Sequence, residues 1–140
     1  MSVRKIIDWH RAVAPGLADF EEMAEAAWER LPDEFRKKAG DLLIRVEDFA
    51  TDEVLDALGL EDAFDLLGLY HGVSLNKKSV LDTQVQPDMV FLYRRPLLEE
   101  WAESGETLGD LITHVLVHEV GHHFGFSDDD MARIEAAAGG

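Results

Sequence analysis

Apolar residues recur at helical spacing over residues 17–38, where Phe20, Met23, Ala27 and Leu31 fall near one face. Pro32 lies within that run. A proline lacks the N–H of a helical bond and its ring collides with the preceding turn, so the spacing predicts one or two packing helices. Residues 42–49 are rich in strand formers and alternate apolar with charged positions at their end, while 52–60 reads as a short capped helix closed near Gly59. Residues 66–73 and 89–93 are the other strand candidates, separated by a polar loop that contains Asn76, Lys77, Lys78, Ser79 and Pro87. A small mixed sheet of about three strands follows.

Thr107 with Asp110 makes a capping box that starts a helix near Leu108, and Gly125 supplies its stop. Leu116, Val117, Val120 and Phe124 occupy one side of this helix, which is expected to pack on the sheet. A terminal helix from 130 to about 138 closes the chain. The expected class is α+β: one domain over 1–140, with a small mixed sheet packed against an N-terminal helix and the 108–125 helix, and a short C-terminal helix.

The chemistry concentrates in residues 118–128, His118-Glu119-Val120-Gly121-His122-His123-Phe124-Gly125-Phe126-Ser127-Asp128. Each helical residue advances about 100°, so His118 and His122 project within roughly 40° of each other and can reach one ion. Glu119 sits on the flank of that face, beside where a metal-bound water would lie, and is the natural general base. A catalytic zinc takes three protein ligands and leaves the fourth position to water. The turn at Gly125 can bring Asp128 back over the helix as the third ligand, because Ser127 and Asp130 form a capping box without it. The rival is His114. It lies about 12 Å from His122 along a straight axis, a strained reach for one ion, and reads better as cleft wall. His123 points about 100° away from His122, toward the packed side, as a core histidine.

The order His118-Glu119-x-x-His122-x-x-Gly125-x-x-Asp128 resembles the extended zincin motif of metzincin-type metallopeptidases, with aspartate where most of that group have a third histidine. More closely, the chain is similar to the small bacterial zincin-like metallopeptidase domains. That resemblance extends secondarily to Leu67-Gly68-Leu69-Tyr70-His71-Gly72-Val73 and Leu92-Tyr93-Arg94-Arg95-Pro96-Leu97. It implies a minimal zincin-like fold, one zinc ion, a water nucleophile and peptide-bond hydrolysis. The chain departs from metzincins, which carry a methionine turn well downstream of the third ligand and a C-terminal subdomain that walls the cleft, whereas here a dozen residues follow Asp128; Met131 is the candidate for a methionine beneath the metal. Tyr70 or Tyr93 could stabilise an oxyanion and Arg94 with Arg95 could grip a substrate carboxylate, although ordinary strand positions and surface pairing with acids account for them as well.

Composition narrows the alternatives. The 140 residues suit one domain, and the absence of cysteine leaves histidine and carboxylate as the only metal donors. A formal net charge of −16 with no basic stripe argues against nucleic acid as a partner. No apolar run approaches the roughly 20 residues of a membrane span, and the N-terminus lacks the apolar core of a signal peptide. The expectation is a cytoplasmic protein without a membrane partner, acting on a peptide or protein substrate. The leading functional expectation is a zinc-dependent metallopeptidase; the alternative is a zinc-stabilised binding or regulatory domain that retains the site without catalysis. Hydrolysis of a non-peptide amide is a third reading, open to the same chemistry.

Overall fold

The computed structural model describes residues 7–72 and 88–139. The first amphipathic run is divided at Pro32 as its chemistry requires, into α1 (Leu17–Arg30) and α2 (Asp33–Ala39), with Leu31 extended between them. Strand β1 (Leu43–Glu47) follows, then α3 (Asp52–Leu58), capped by Thr51 and stopped by Gly59 in the left-handed conformation. Strands β2 (Gly68–His71) and β3 (Met89–Tyr93) complete a three-stranded sheet of order β1-β3-β2. β1 runs parallel to β3, with Val46 opposite Leu92; β2 runs antiparallel to it, with Tyr70 opposite Val90. The sheet is therefore mixed, as expected. Val73, the proposed end of the second strand, and the polar loop with Asn76, Lys77, Lys78, Ser79 and Pro87 lie outside the described residues.

Helix α4 (Arg94–Ser104) begins directly after β3 and was not anticipated from the apolar pattern. The reason is its thin apolar face: only Pro96 and Leu97 are buried along it. Pro96 is tolerated because the first-turn N–H groups of a helix have no partner within it.

Helix α5 (Leu108–His123) is the centre of the molecule. It packs against α1, α4, α6, β2 and β3. Ile112, Leu116, Val117 and Val120 have no exposed surface, and each such burial stabilises by roughly 1.5–3 kcal/mol. On one sheet face, Val90 and Leu92 join Phe20, Ala24 and Ala27 of α1 and the N-terminal half of α5 in the main core. On the other, Phe91, Tyr93 and Leu69 pack with Leu55 of α3. Gly68 lets α5 approach the sheet closely, since a Cβ there would fall 2.8 Å from Val115 Cγ1 and 3.0 Å from the Phe91 carbonyl oxygen. The last helix, α6 (Asp128–Ala138), lies along the C-terminal half of α5 with Met131 buried against Val117 and Val120. Among the described residues, no helix is long and apolar enough to cross a membrane.

Candidate metal centre

Both ends of α5 are closed by local chemistry. Thr107 Oγ1 accepts a hydrogen bond from the Asp110 N–H at 3.2 Å, a cap that contributes about 1 kcal/mol. At the other end Gly125 takes φ 76°, where a residue without Cβ is under no strain. The Phe126 N–H reaches the Gly121 carbonyl at 2.9 Å and the Gly125 N–H reaches the His122 carbonyl at 3.2 Å. This paired closure reverses the chain and lays α6 along α5.

His114, His118 and His122 form a stripe one turn apart on α5. The His114 and His118 rings lie 4.0 Å apart between centroids, and those of His118 and His122 lie 5.5 Å apart and nearly perpendicular. Among the described residues, the metal-binding side chains that converge are His114, His118 and Glu135, with donor atoms all within 4.8 Å of one another. Glu135 Oε1 stands 3.0 Å from His114 Nδ1 and 2.9 Å from His118 Nε2, and Oε2 lies 3.1 Å from His114 Nδ1. Among the described residues, buried Oε1 has no hydrogen bond of good geometry, and its close neighbours are the two imidazoles. Two imidazoles and a carboxylate are a zinc donor set, and an unsatisfied buried carboxylate oxygen is what a cation would relieve. The residues present fit a divalent transition ion.

His122 and Asp128 are not drawn into this group. His122 is exposed beside His118. Asp128 is exposed as the first residue of α6, because Ser127 caps that helix by accepting the Asp130 N–H at 3.1 Å. The Ser127 and Asp130 pairing thus forms as its sequence suggests, but α6 starts two residues before the expected 130 and includes Asp128. His114, read from sequence as cleft wall because of its distance from His122, is brought instead to His118. Glu135 was not singled out. It lies seven residues beyond Asp128, two turns along the same face of α6, a spacing that acquires meaning only when the packing of α6 on α5 is known.

Glu119 is half-buried on the flank of α5. Burial raises its carboxyl above the ordinary range, opposed by a backbone hydrogen bond from Tyr70 and by His122. Burial and then His114 lower the His118 imidazole below its usual value, against the pull of Glu135. The neutral form this favours is the one that ligates metals.

The secondary candidates have structural employment. The Tyr70 hydroxyl donates to Asp88 Oδ2 at 2.7 Å, and burial followed by that partner raises its ionisation well above the usual tyrosine range. Its ring stacks on His123 at 3.9 Å, so His123 is an exposed residue at the sheet edge and not the core histidine expected. Tyr93 is 2% exposed, and burial, then Glu47 and Glu119, push its hydroxyl up to about 12. Arg94 donates through Nε to Asp48 Oδ1 at 2.7 Å and through a terminal nitrogen to the Pro15 carbonyl at 2.9 Å. Arg95 lies over the Phe49 ring. Both arginines are engaged in the fold.

No curated protein matches the chain. The sequence model of one family does, over residues 39–138, a span that begins at the end of α2 and takes in the whole sheet, the histidine stripe and α6. With its α+β architecture and the His118-Glu119-x-x-His122 segment on its central helix, the chain belongs to the zincin-like metallopeptidase family.

Proposed function

We propose that this protein is a zinc-dependent metallopeptidase in which His118, His122 and Asp128 hold one ion and Glu119 is the general base. The observation that carries the reading is the arrangement of α5 in a member of this family. His118 and Glu119 are consecutive on a helix whose rear is buried, with His118 turned toward α6 and Glu119 half-buried on the flank. Rigid support of this kind is what a catalytic site requires.

When bound, the ion supplies Lewis acidity and a water whose pKa falls to about 7. Glu119, beside His118 on the flank of α5, would serve as the proton acceptor and then as the proton donor to the departing amine. Its raised pKa suits both halves of this task, because a base must also become a competent acid within one cycle. His118, kept neutral by burial and by His114, offers a free nitrogen lone pair near neutral pH. The substrate is a peptide or protein.

The test is cleavage of a diverse peptide library by the zinc-loaded protein and by its Glu119→Gln variant, with products identified by mass spectrometry. Cuts made by the wild type alone support the peptidase and its base. Equal cutting by Glu119→Gln removes Glu119 from the chemistry. Zinc bound in both proteins without any cut points to the alternative, a zinc-stabilised binding domain.

A further inference from the structure

We propose that His114, His118 and Glu135 form a metal site in their own right, which takes a divalent transition ion such as zinc and competes with the His118, His122 and Asp128 set for it through the shared His118. The competition rests on the catalytic set proposed above; the site itself does not.

Three observations carry it. Among the described residues, Glu135 Oε1 is buried without a well-formed hydrogen bond and lies 3.0 and 2.9 Å from one nitrogen of each histidine. Donors around a tetrahedral zinc, each about 2.0–2.1 Å from the ion, stand roughly 3.3 Å from one another; the two oxygen–nitrogen distances are close to this, and all three donor atoms lie within 4.8 Å of one another. Second, the donors come from α5 and α6, whose packing is fixed by Met131 against Gly121 and by the closure at Gly125, and so the site is built by the fold and not by a mobile surface cluster. Third, two of its three residues border open space. His114 and Glu135 line an open groove of about 1180 Å³ between α1, α5 and α6, walled elsewhere by Met23, Ala27, Thr113 and Ala132. A pair of protonated imidazoles held by the carboxylate is the competing explanation for the distances, and it predicts no metal.

The experiment uses the full chain, freed of metal and titrated with zinc and with cobalt. Stoichiometry is read by elemental analysis after dialysis, affinity by competition with a chromophoric chelator, and coordination by cobalt absorption. In the His122→Ala/Asp128→Ala variant, which cannot form the catalytic set, one equivalent of zinc is still expected. Adding Glu135→Gln to that variant should weaken binding by more than about 100-fold, beyond the 10–100-fold that loss of a group outside the coordination shell costs. The cobalt spectrum should change with it. His114→Ala in the same background provides the second variant should the triple one not fold, with circular dichroism as the check.

Absence of zinc from His122→Ala/Asp128→Ala while the wild type binds it overturns the proposal and leaves the catalytic set intact. Equal affinity with and without Glu135→Gln overturns it too. Zinc retained by His122→Ala/Asp128→Ala and lost with Glu135→Gln upholds it even where the zinc-loaded wild type cuts no peptide, which would remove the peptidase reading, so the two can fail separately.

Discussion

Met131 occupies the space that a side chain at Gly121 would need: a Cβ there would fall 2.5 Å from the methionine sulfur and 2.9 Å from its Cγ. Gly121 precedes His122 on α5, and Met131 is wholly buried on α6. The contact therefore sets how closely the helix carrying Glu135 approaches the helix carrying the histidines. Met131 thus packs under Gly121, against the helix that carries the histidines, as a core residue.

Gly121→Ala should displace Met131 and destabilise the protein by about 1–3 kcal/mol in urea unfolding. Met131→Ala should cost about 2–5 kcal/mol through the cavity it leaves. In the double variant the new methyl enters part of that cavity, so the combined loss should fall below the sum of the two. Strict additivity would show that the two residues do not limit one another.

Glu119 carries a pH prediction. Burial holds its carboxyl in the folded protein above the ordinary value of 4.5, so the folded state holds the proton more tightly than the unfolded chain. Stability from this group is fully present below that unfolded value and is lost as pH rises through the folded one. Glu119→Gln removes a charge that burial opposes. The metal-free variant should therefore melt above the metal-free wild type at pH 7, with the gap closing as the pH falls toward 4.5. A gap that is constant across this range would mean that the carboxylate is not desolvated in the folded protein.

Much of this arrangement is legible in the chain because local rules act where they can be read. Pro32 divides a helix, Thr107 and Asp110 begin one, and Gly125 ends it in the left-handed conformation, each through chemistry confined to a few residues. The sheet strands announce themselves by their β-branched and aromatic content. Helix α4 escapes notice because its buried face is two residues, Pro96 and Leu97. Glu135 escapes for a different reason: its partners His114 and His118 are 21 and 17 residues away, and their meeting depends on the crossing of two helices. Periodicity places His114 on the stripe but cannot say that α6 will present a carboxylate to it.

Arg94 separates a structural from a substrate-binding role. Its side chain bridges Asp48 and the Pro15 carbonyl, tying the start of α4 to the chain after β1 and to the segment before α1. Asp48 is half exposed, which limits the value of the ion pair, and the bond to the carbonyl adds to it. Arg94→Ala should lower stability by about 1–2 kcal/mol while leaving KM for any peptide substrate unchanged. A raised KM at unaltered stability would instead return Arg94 to the substrate.

Chelation should act unevenly along the chain. Met131 is the only fully buried residue among the eleven of α6, whereas α5 buries eight. By its own packing α6 belongs to the weakly held end of the molecule, where local opening costs little. An ion ligated from both α5 and α6 adds a cross-link between them, and zinc at 1,000 times its dissociation constant stabilises the bound state by about 4 kcal/mol. Hydrogen exchange with and without chelator should therefore show the largest acceleration in α6 and in the last turn of α5 when the metal is removed. The amides of β3, paired on both sides, should change only as far as global stability does. Acceleration no larger in α6 than in β3 would mean that α6 does not open separately from the rest of the fold, and would remove the cross-link as the source of its order.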